Sequence, residues 1–314
     1  MNNRPLKNIA ASVRQRLLNQ AHESARPFIE LLQYFAMERF LYRLGISPHN
    51  QEFVLKGALL LRAWDAPGNR PTMDIDLPGF TDNDINNIAE IVKSICDVES
   101  INDGLEFNAT SVVSSPIKKD ADYGGVRIRF QGKLGNARIP MQIDVGFGDS
   151  VYPGIVNLDY PTLLEFPAPE LCGYPRESVI AEKVEAMVKL CRLNSRLKDF
   201  YDVQLLARRF DFDGESLYFA FEKTFTNRGT HPVIFENMAT EILKNSNLEL
   251  KWGGFLKKTG INAQDSFAQV LETMETFLKP VLESLVNGQT FKKKWNTPGP
   301  WLSGKEHVQE MSPH

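Results

Sequence analysis

Cysteine is scarce in this chain: three among 314 residues, Cys96, Cys172 and Cys191. They are odd in number and widely spaced, and they form neither a C-x-x-C pair nor a His-rich cluster, so a disulfide framework or a structural zinc site is not expected. Long apolar runs are missing too. No stretch approaches the roughly 18 to 20 consecutive apolar residues of a membrane-crossing helix. The opening segment MNNRPLKNIAASVRQRLLNQ is polar and basic where a secretory signal carries an apolar core. A cytoplasmic protein without membrane contact is therefore expected. An excess of positive charge is also lacking, since 36 Lys and Arg stand against 39 Asp and Glu for a net charge of −3. That balance argues against a chain built only to coat nucleic acid, and any polyanion site must be local. There is no internal repeat and no low-complexity tract.

What is present is the composition of an ordinary globular protein, with 42% hydrophobic, 24% charged and 10% aromatic residues. The length suits one large or two modest domains. Basic residues gather in two places. Arg4, Lys7, Arg14 and Arg16 precede the first acid at Glu23, and Lys292, Lys293 and Lys294 run together between Phe291 and Trp295. Each is either a phosphate-contacting patch or a solvated terminus.

Residues 8 to 46 carry helical spacing, with Ile9, Val13, Leu17 and Leu18 on one face, then Phe28, Leu31, Leu32, Phe35, Phe40, Leu41 and Leu44 before Gly45 and Pro48. Two helices are predicted there. Phe53 to Leu55 reads as a short strand meeting Gly57, with a helical turn through Leu61. The letters PGNRP at 67–71 are turn chemistry. Met73 to Leu77, MDIDL, alternates at period two and predicts a strand with Asp74 and Asp76 on one face. Asp82 is the expected cap of a helix carrying Ile85, Ile88, Ile91, Val92 and Ile95. Three strand-like segments follow, at Leu105–Val113, Gly125–Gln131 and Ile139–Gly146. A Pro-rich connector after Asp149 then leads to a helical remainder from Ser178 in which no strand is expected. The division is placed near residue 175, giving a core domain 1–175 with its N-terminal helices and a helical domain 176–314.

Asp74 and Asp76 stand only about 6 to 7 Å apart along a strand. Two like charges that close repel, and burying them raises a pKa or calls for a compensating cation. An acidic pair with apolar neighbours on the other face therefore suggests a divalent metal, and oxygen-only ligands favour Mg²⁺ or Mn²⁺ over zinc. Asp144, in the strand IPMQIDVG, is a third candidate ligand if its strand lies beside MDIDL. Three such carboxylates suffice for two Mg²⁺ ions that clamp a triphosphate. The bland alternative is a solvated edge strand. Upstream, Gly57 at a strand-to-helix turn lets backbone N–H groups approach a phosphate.

The order strand, Gly turn, helix, D-x-D strand and later Asp strand resembles the nucleotidyltransferase superfamily related to polymerase beta. The segments FVLKGALLLRAW (53–64), RPTMDIDL (70–77), VIAEKVEAMVKL (179–190) and RLKDFYDVQLL (196–206) are similar to the four motifs of the AbiEii/AbiGii nucleotidyltransferase toxin family, which includes the MenT toxins. The likeness spans about residues 8 to 210. It implies an α+β fold, a mixed-sheet polymerase-beta-like core with a C-terminal helical domain. It also implies a type IV toxin–antitoxin or abortive-infection role, with a cognate antitoxin as partner.

By the same resemblance, Lys56, Gly57 and Ala58 belong to a nucleotide-binding loop, where the family's usual Gly-Gly or Gly-Ser is here Gly57-Ala58. Arg70, Thr72, Asp74 and Asp76 match R-x-[ST]-x-D-x-D, with Thr72 near the triphosphate and the aspartates as catalytic metal ligands; Asp144 joins them by superfamily logic. Lys183 matches a catalytic or triphosphate-binding lysine. On helical phase alone Lys183 points away from the apolar face of Val184, Met187 and Val188, as do Glu182 and Glu185. Asp199 and Asp202 share a helix face at i, i+3 and are placed to orient Lys183 or contact a ribose, either one being the essential carboxylate. Arg196 and Lys198 are placed to meet phosphates.

The expected activity is Mg²⁺-dependent transfer of NMP from an NTP to an acceptor, the tRNA 3′ end being the leading one. Two alternatives are phosphotransfer to a protein or small molecule, and a catalytically silent nucleotide- or RNA-binding module.

Overall fold

A computed structural model describes residues 8–64, 71–119, 123–190, 196–244, 247–261 and 263–303. The chain forms two compact units. Described residues up to 148, together with 156–173, make the first, and 149–155 with the chain from Tyr174 onward make the second.

In the first unit, α1 (Ile9–Ser24) and α2 (Phe28–Ile46) are the two helices expected from the spacing. α1 starts at Asn8, whose side chain accepts the Ala11 N–H at 2.9 Å. α2 is buried nearly all round, polar residues included. Most of its buried polar side chains have a partner, although Nε and Nη1 of Arg39 make no hydrogen bond among the described residues. Gln33 donates to the Pro140 carbonyl, and Arg43 grips Asp103 through both nitrogens at 2.8 and 3.1 Å. Glu38 accepts the Leu163 N–H at 2.7 Å and lies 3.1 Å from Arg39, which donates to the Pro167 carbonyl. After the short α3 (Ala58–Ala63) comes β1 (Asp74–Asp76), then α4 (Ile85–Cys96), β2 (Leu105–Lys119), β3 (Tyr123–Leu134) and β4 (Ala137–Val145). The sheet order is β1-β4-β3-β2, with β1 parallel to β4 and the other pairs antiparallel. It is a mixed sheet, as expected.

Alternation decides which face is buried. Val126, Ile128 and Phe130 of β3 and Ile139, Met141, Ile143 and Val145 of β4 point into the core. There Phe40 of α2 packs on Phe107 and Phe130 with ring centroids 5.7 and 5.2 Å apart. Such aromatic pairs add about 0.5–1.5 kcal/mol each beyond their buried area. The opposite face carries polar side chains.

Three expectations need correction in detail. The cap of α4 is Asp84, which accepts the Asn86 and Asn87 N–H groups, while Asp82 supports it two residues earlier by accepting the Asp84 N–H. The Pro-rich connector contains an antiparallel pair, β5 (Val156–Asp159) with β6 (Glu170–Gly173). These four-residue strands are too short to display a period.

The third correction concerns the second unit, which is helical but not only helical. α5 (Arg176–Leu190), α6 (Leu197–Arg209), α7 (Gly214–Asn227), α8 (Phe235–Leu243), α9 (Leu248–Thr259) and α10 (Phe267–Val286) are joined by a three-stranded sheet. Its strands are β7 (Phe212–Asp213), β8 (Lys293–Trp295) and β9 (Trp301–Ser303). Two or three residues per strand give no sequence signal. They are fixed by aromatic packing: Trp301 stacks on Phe277 of α10 at 5.6 Å, and Trp295 donates its indole N–H to the Ala207 carbonyl at 2.7 Å. Among the described residues no helix is long and apolar enough to cross a membrane.

Candidate active site

The parallel register sets the first cluster. Asp74 lies across from Gln142, Ile75 from Ile143, and Asp76 from Asp144. Ile75 and Ile143 are fully buried, so the period-two alternation turns Asp74, Asp76 and Asp144 onto the other, half-exposed face. Placing Asp144 beside the D-x-D strand was conditional in the sequence; the sheet makes the two strands neighbours.

Gly57 belongs to the same place. Lys56 bridges Asp76 through the backbone, its N–H donating to the Asp76 carbonyl at 3.0 Å. Gly57 has φ +76°, and a Cβ there would overlap the Asp76 carboxylate, with Cγ at 2.9 Å. Only glycine both adopts that backbone and leaves the space the carboxylate fills. The next residue, Ala58, is buried at the start of α3. Thr72 ties down the start of β1. Its hydroxyl donates to the Asp74 carbonyl at 3.3 Å and accepts the Asp74 N–H at 3.4 Å, while its own N–H donates to the Tyr34 hydroxyl at 3.3 Å. Arg70 lies outside the described residues.

One partner was missed in the sequence. Arg127 of β3 sits opposite Asp144 and holds both its oxygens, Nε at 2.8 Å and Nη2 at 2.6 Å. The Asp144 hydrogen bond holds the Arg127 guanidinium above its ordinary value, and the charges of Asp144, Asp74 and Asp76 push the same way. The signal was present in GVRIRFQ, where Arg127 shares the alternation of Asp144's face, but the pairing depends on register. With Asp144 turned to Arg127, no group of three or more His, Cys, Asp and Glu side chains gathers as metal ligands among the described residues. The oxygen donors that fit a hard divalent cation are Asp74 and Asp76, with Asp144 beside them in a charge-neutral pair.

The second unit holds the second cluster. Lys183 of α5 donates to Asp202 at 2.6 Å and to Asp199 at 3.0 Å. Both carboxylates are about 1% exposed, and Arg196 Nε lies 2.8 Å from the other Asp199 oxygen. Burial works to raise the Asp199 pKa. Lys183 and Arg196 outweigh it, with the more distant field of the exposed Lys198, and hold the group below its ordinary value. Both aspartates meet the lysine.

Glu182 and Glu185, off the apolar stripe of the helix, are nevertheless buried. The cause is Arg228, which lies 2.9 Å from Glu185, 2.9 Å from Asp149 and 3.2 Å from Glu182. Thr230 donates to Glu185 at 2.5 Å. Burial disfavours the Arg228 cation, but Glu182 and Asp149 more than offset it and raise its pKa. The helix thus presents Lys183 to a pair of acids while its neighbours Glu182 and Glu185 face the Arg228 cation.

Of the terminal basic residues, Arg4 and Lys7 lie outside the described residues, while Arg14, Arg16, Lys292 and Lys294 meet partners. Arg14 lies over the Phe28 ring at 5.4 Å and Arg16 over Phe166 at 5.3 Å. Lys294 pairs with Asp213 at 3.0 Å and Lys292 with Glu215 at 3.5 Å.

A mixed sheet bearing D-x-D on its first strand, next to a glycine turn and a strand with a third aspartate, defines the nucleotidyltransferase class. Residues 39–273 match the family described as nucleotidyl transferase AbiEii toxin of type IV toxin–antitoxin systems. The chain belongs to that family and is a nucleotidyltransferase. No curated protein matches it in sequence. Among solved structures it is similar to a candidate nucleotidyltransferase from Helicobacter pylori, at 16% identity and a TM-score of 0.45, covering 83% of this chain and 98% of that one. It is also similar to JHP933 from the same organism, at 17% identity and a TM-score of 0.42, covering 80% and 92%.

Proposed function

We propose that the protein transfers NMP from an NTP to the 3′ end of tRNA with Mg²⁺ bound at Asp74 and Asp76. The observation that carries this reading is the β1–β4 register, which puts Asp74, Asp76 and Asp144 on one face beside Gly57. Mg²⁺, or Mn²⁺ in its place, supplies Lewis-acid charge for the phosphate oxygens when bound. The chain's own residues do the rest. The bare Gly57 lets the Asp76 carboxylate lie against the turn beside which the triphosphate is proposed to bind. Thr72 fixes the start of β1 and so the aim of Asp74. Arg127 holds the Asp144 carboxylate pointed at its own guanidinium. Lys183, held by two buried carboxylates, is a preorganised cation for triphosphate charge, and needs no reorganisation when that charge shifts to the leaving pyrophosphate. Arg196 and Lys198, at the start of α6, add charge for phosphates. As a member of a toxin–antitoxin family the enzyme is proposed to act under the control of a cognate antitoxin in the cytoplasm.

The test uses each NTP in turn, labelled at the α- or the γ-phosphate, with Mg²⁺ and total RNA. The expected product is α-label on a tRNA-sized band with no γ-label. Label on protein, or γ-label on any acceptor, overturns the RNA-nucleotidyl reading and favours phosphotransfer or a protein acceptor.

A further inference from the structure

The polar face of the four-stranded sheet carries more than the carboxylates. Its period-two alternation also places Arg129 and Lys133 of β3 and Arg138 of β4 on the face of Arg127 and Asp144. All three are exposed, and Lys133 and Arg138 stand directly opposite each other in the β3–β4 register. Like charges in that position repel and destabilise a sheet. Among the described residues no ion pair relieves them, and Arg129 meets only the Gln142 side chain, at 3.0 Å. Glu106 of β2 stands across from Lys133 without an ion pair to it, and Asp144 and Asp74 lie near the Arg129 end of the row. In a chain of net charge −3 this is a local concentration of unspent cations. It begins level with Asp74, whose register partner Gln142 faces Arg129, and runs about 13 Å along the strands, four residues from Arg129 to Lys133 at about 3.3 Å each.

We infer that this row, Arg129, Lys133 and Arg138, is the docking stripe for the RNA acceptor's phosphate backbone, leading the strand toward Asp74 and Asp76. The inference rests on the RNA reading above and adds the surface that the sequence did not single out. Between the cations lies Gln131, whose side-chain amide suits sugar and phosphate contacts. A membrane surface would call for several apolar anchors on the same face, whereas beside the row the exposed large apolar side chain is Val113, opposite Arg129. Arg127 is left out, because Asp144 occupies it.

The experiment measures binding of fluorescently labelled total tRNA over roughly 50 to 200 mM salt for wild type and the triple variant Arg129→Gln/Lys133→Gln/Arg138→Gln. A triple variant of equal charge change on α9, Lys251→Gln/Lys257→Gln/Lys258→Gln, serves as control. The stripe variant should bind at least ten-fold more weakly and lose about two to three units of log–log salt slope, at about 0.7 to 0.9 per phosphate contact. Its NTP affinity without RNA and its melting temperature should match wild type, and the α9 control should keep the wild-type slope. Unchanged binding in the stripe variant, or an equal loss in the α9 control, overturns the stripe while leaving the RNA acceptor standing. Wild-type protein that neither binds nor labels tRNA overturns the RNA reading itself, and the stripe with it.

Discussion

Arg127 holds both carboxylate oxygens of Asp144, the residue paired with Asp76 across β1 and β4. This makes Arg127 a built-in cation at the edge of the acidic face, competing with a metal for Asp144. Arg127→Gln should release Asp144 and tighten Mn²⁺ binding several-fold in an electron-paramagnetic-resonance titration. The cost in stability should be about 1 kcal/mol or less, since the pair is partly exposed. Unchanged or weaker Mn²⁺ binding would show that Asp144 plays no part in the metal's field.

Gly57 and Asp76 fit by the absence of a side chain. Gly57→Ala puts a Cβ into the Asp76 carboxylate and strains a backbone at φ +76°. The expected outcome is loss of about 1–3 kcal/mol in urea unfolding together with a large fall in nucleotidyl transfer. A variant with wild-type activity would mean that the close approach at this turn has no role.

Asp199 contributes a pH dependence whose sign follows from its depressed pKa. A carboxylate lowered in the folded state stabilises above the unfolded value of about 3.9, and that stability is lost as pH falls through the lower folded value. Asp199→Asn should therefore flatten the acid limb of the stability–pH curve below about pH 4. At neutral pH, weakening the Lys183 cluster should cost about 3 kcal/mol, since one charge partner of a buried pair is removed. An acid limb identical to wild type would exclude a structural role for the pair.

Glu38 has the opposite sign. Burial, opposed by Arg39 and the Leu163 N–H, pushes its carboxyl up to about 7. A raised acid stabilises below the unfolded value near 4.5 and loses that contribution as pH rises through about 7, a change of about 3 kcal/mol. Carbon-13 spectra of the glutamate carboxyls should show one resonance titrating near 7. If every glutamate titrates below about 5.5, the buried Glu38 environment described here is wrong.

Much of this was legible because alternation is a local property. MDIDL, GVRIRFQ and IPMQIDVG each declare a strand and its two faces, so the acidic face and the Gly57 turn could be read residue by residue. What depends on register could not. The Arg127 grip on Asp144, the facing cations Lys133 and Arg138, and the burial of Glu182 and Glu185 under Arg228 join residues 5 to 46 positions apart, as fixed by strand pairing and helix packing. Strands of two to four residues, such as β5 to β9, lie below the length at which a period shows. The choice between Asp199 and Asp202 was undecidable for another reason: an i, i+3 pair points both groups the same way, and Lys183 takes both.

The central claim is that Asp74 and Asp76 hold the metal that drives nucleotidyl transfer, and Asp76→Asn tests it most directly. The change removes one charge from a repelling pair without altering size, so thermal stability in metal-free buffer should hold or rise. Transfer of α-labelled NMP to RNA should fall by at least a thousand-fold, about 4 kcal/mol of transition-state stabilisation. A folded Asp76→Asn protein that labels RNA within a few-fold of wild type would contradict the account.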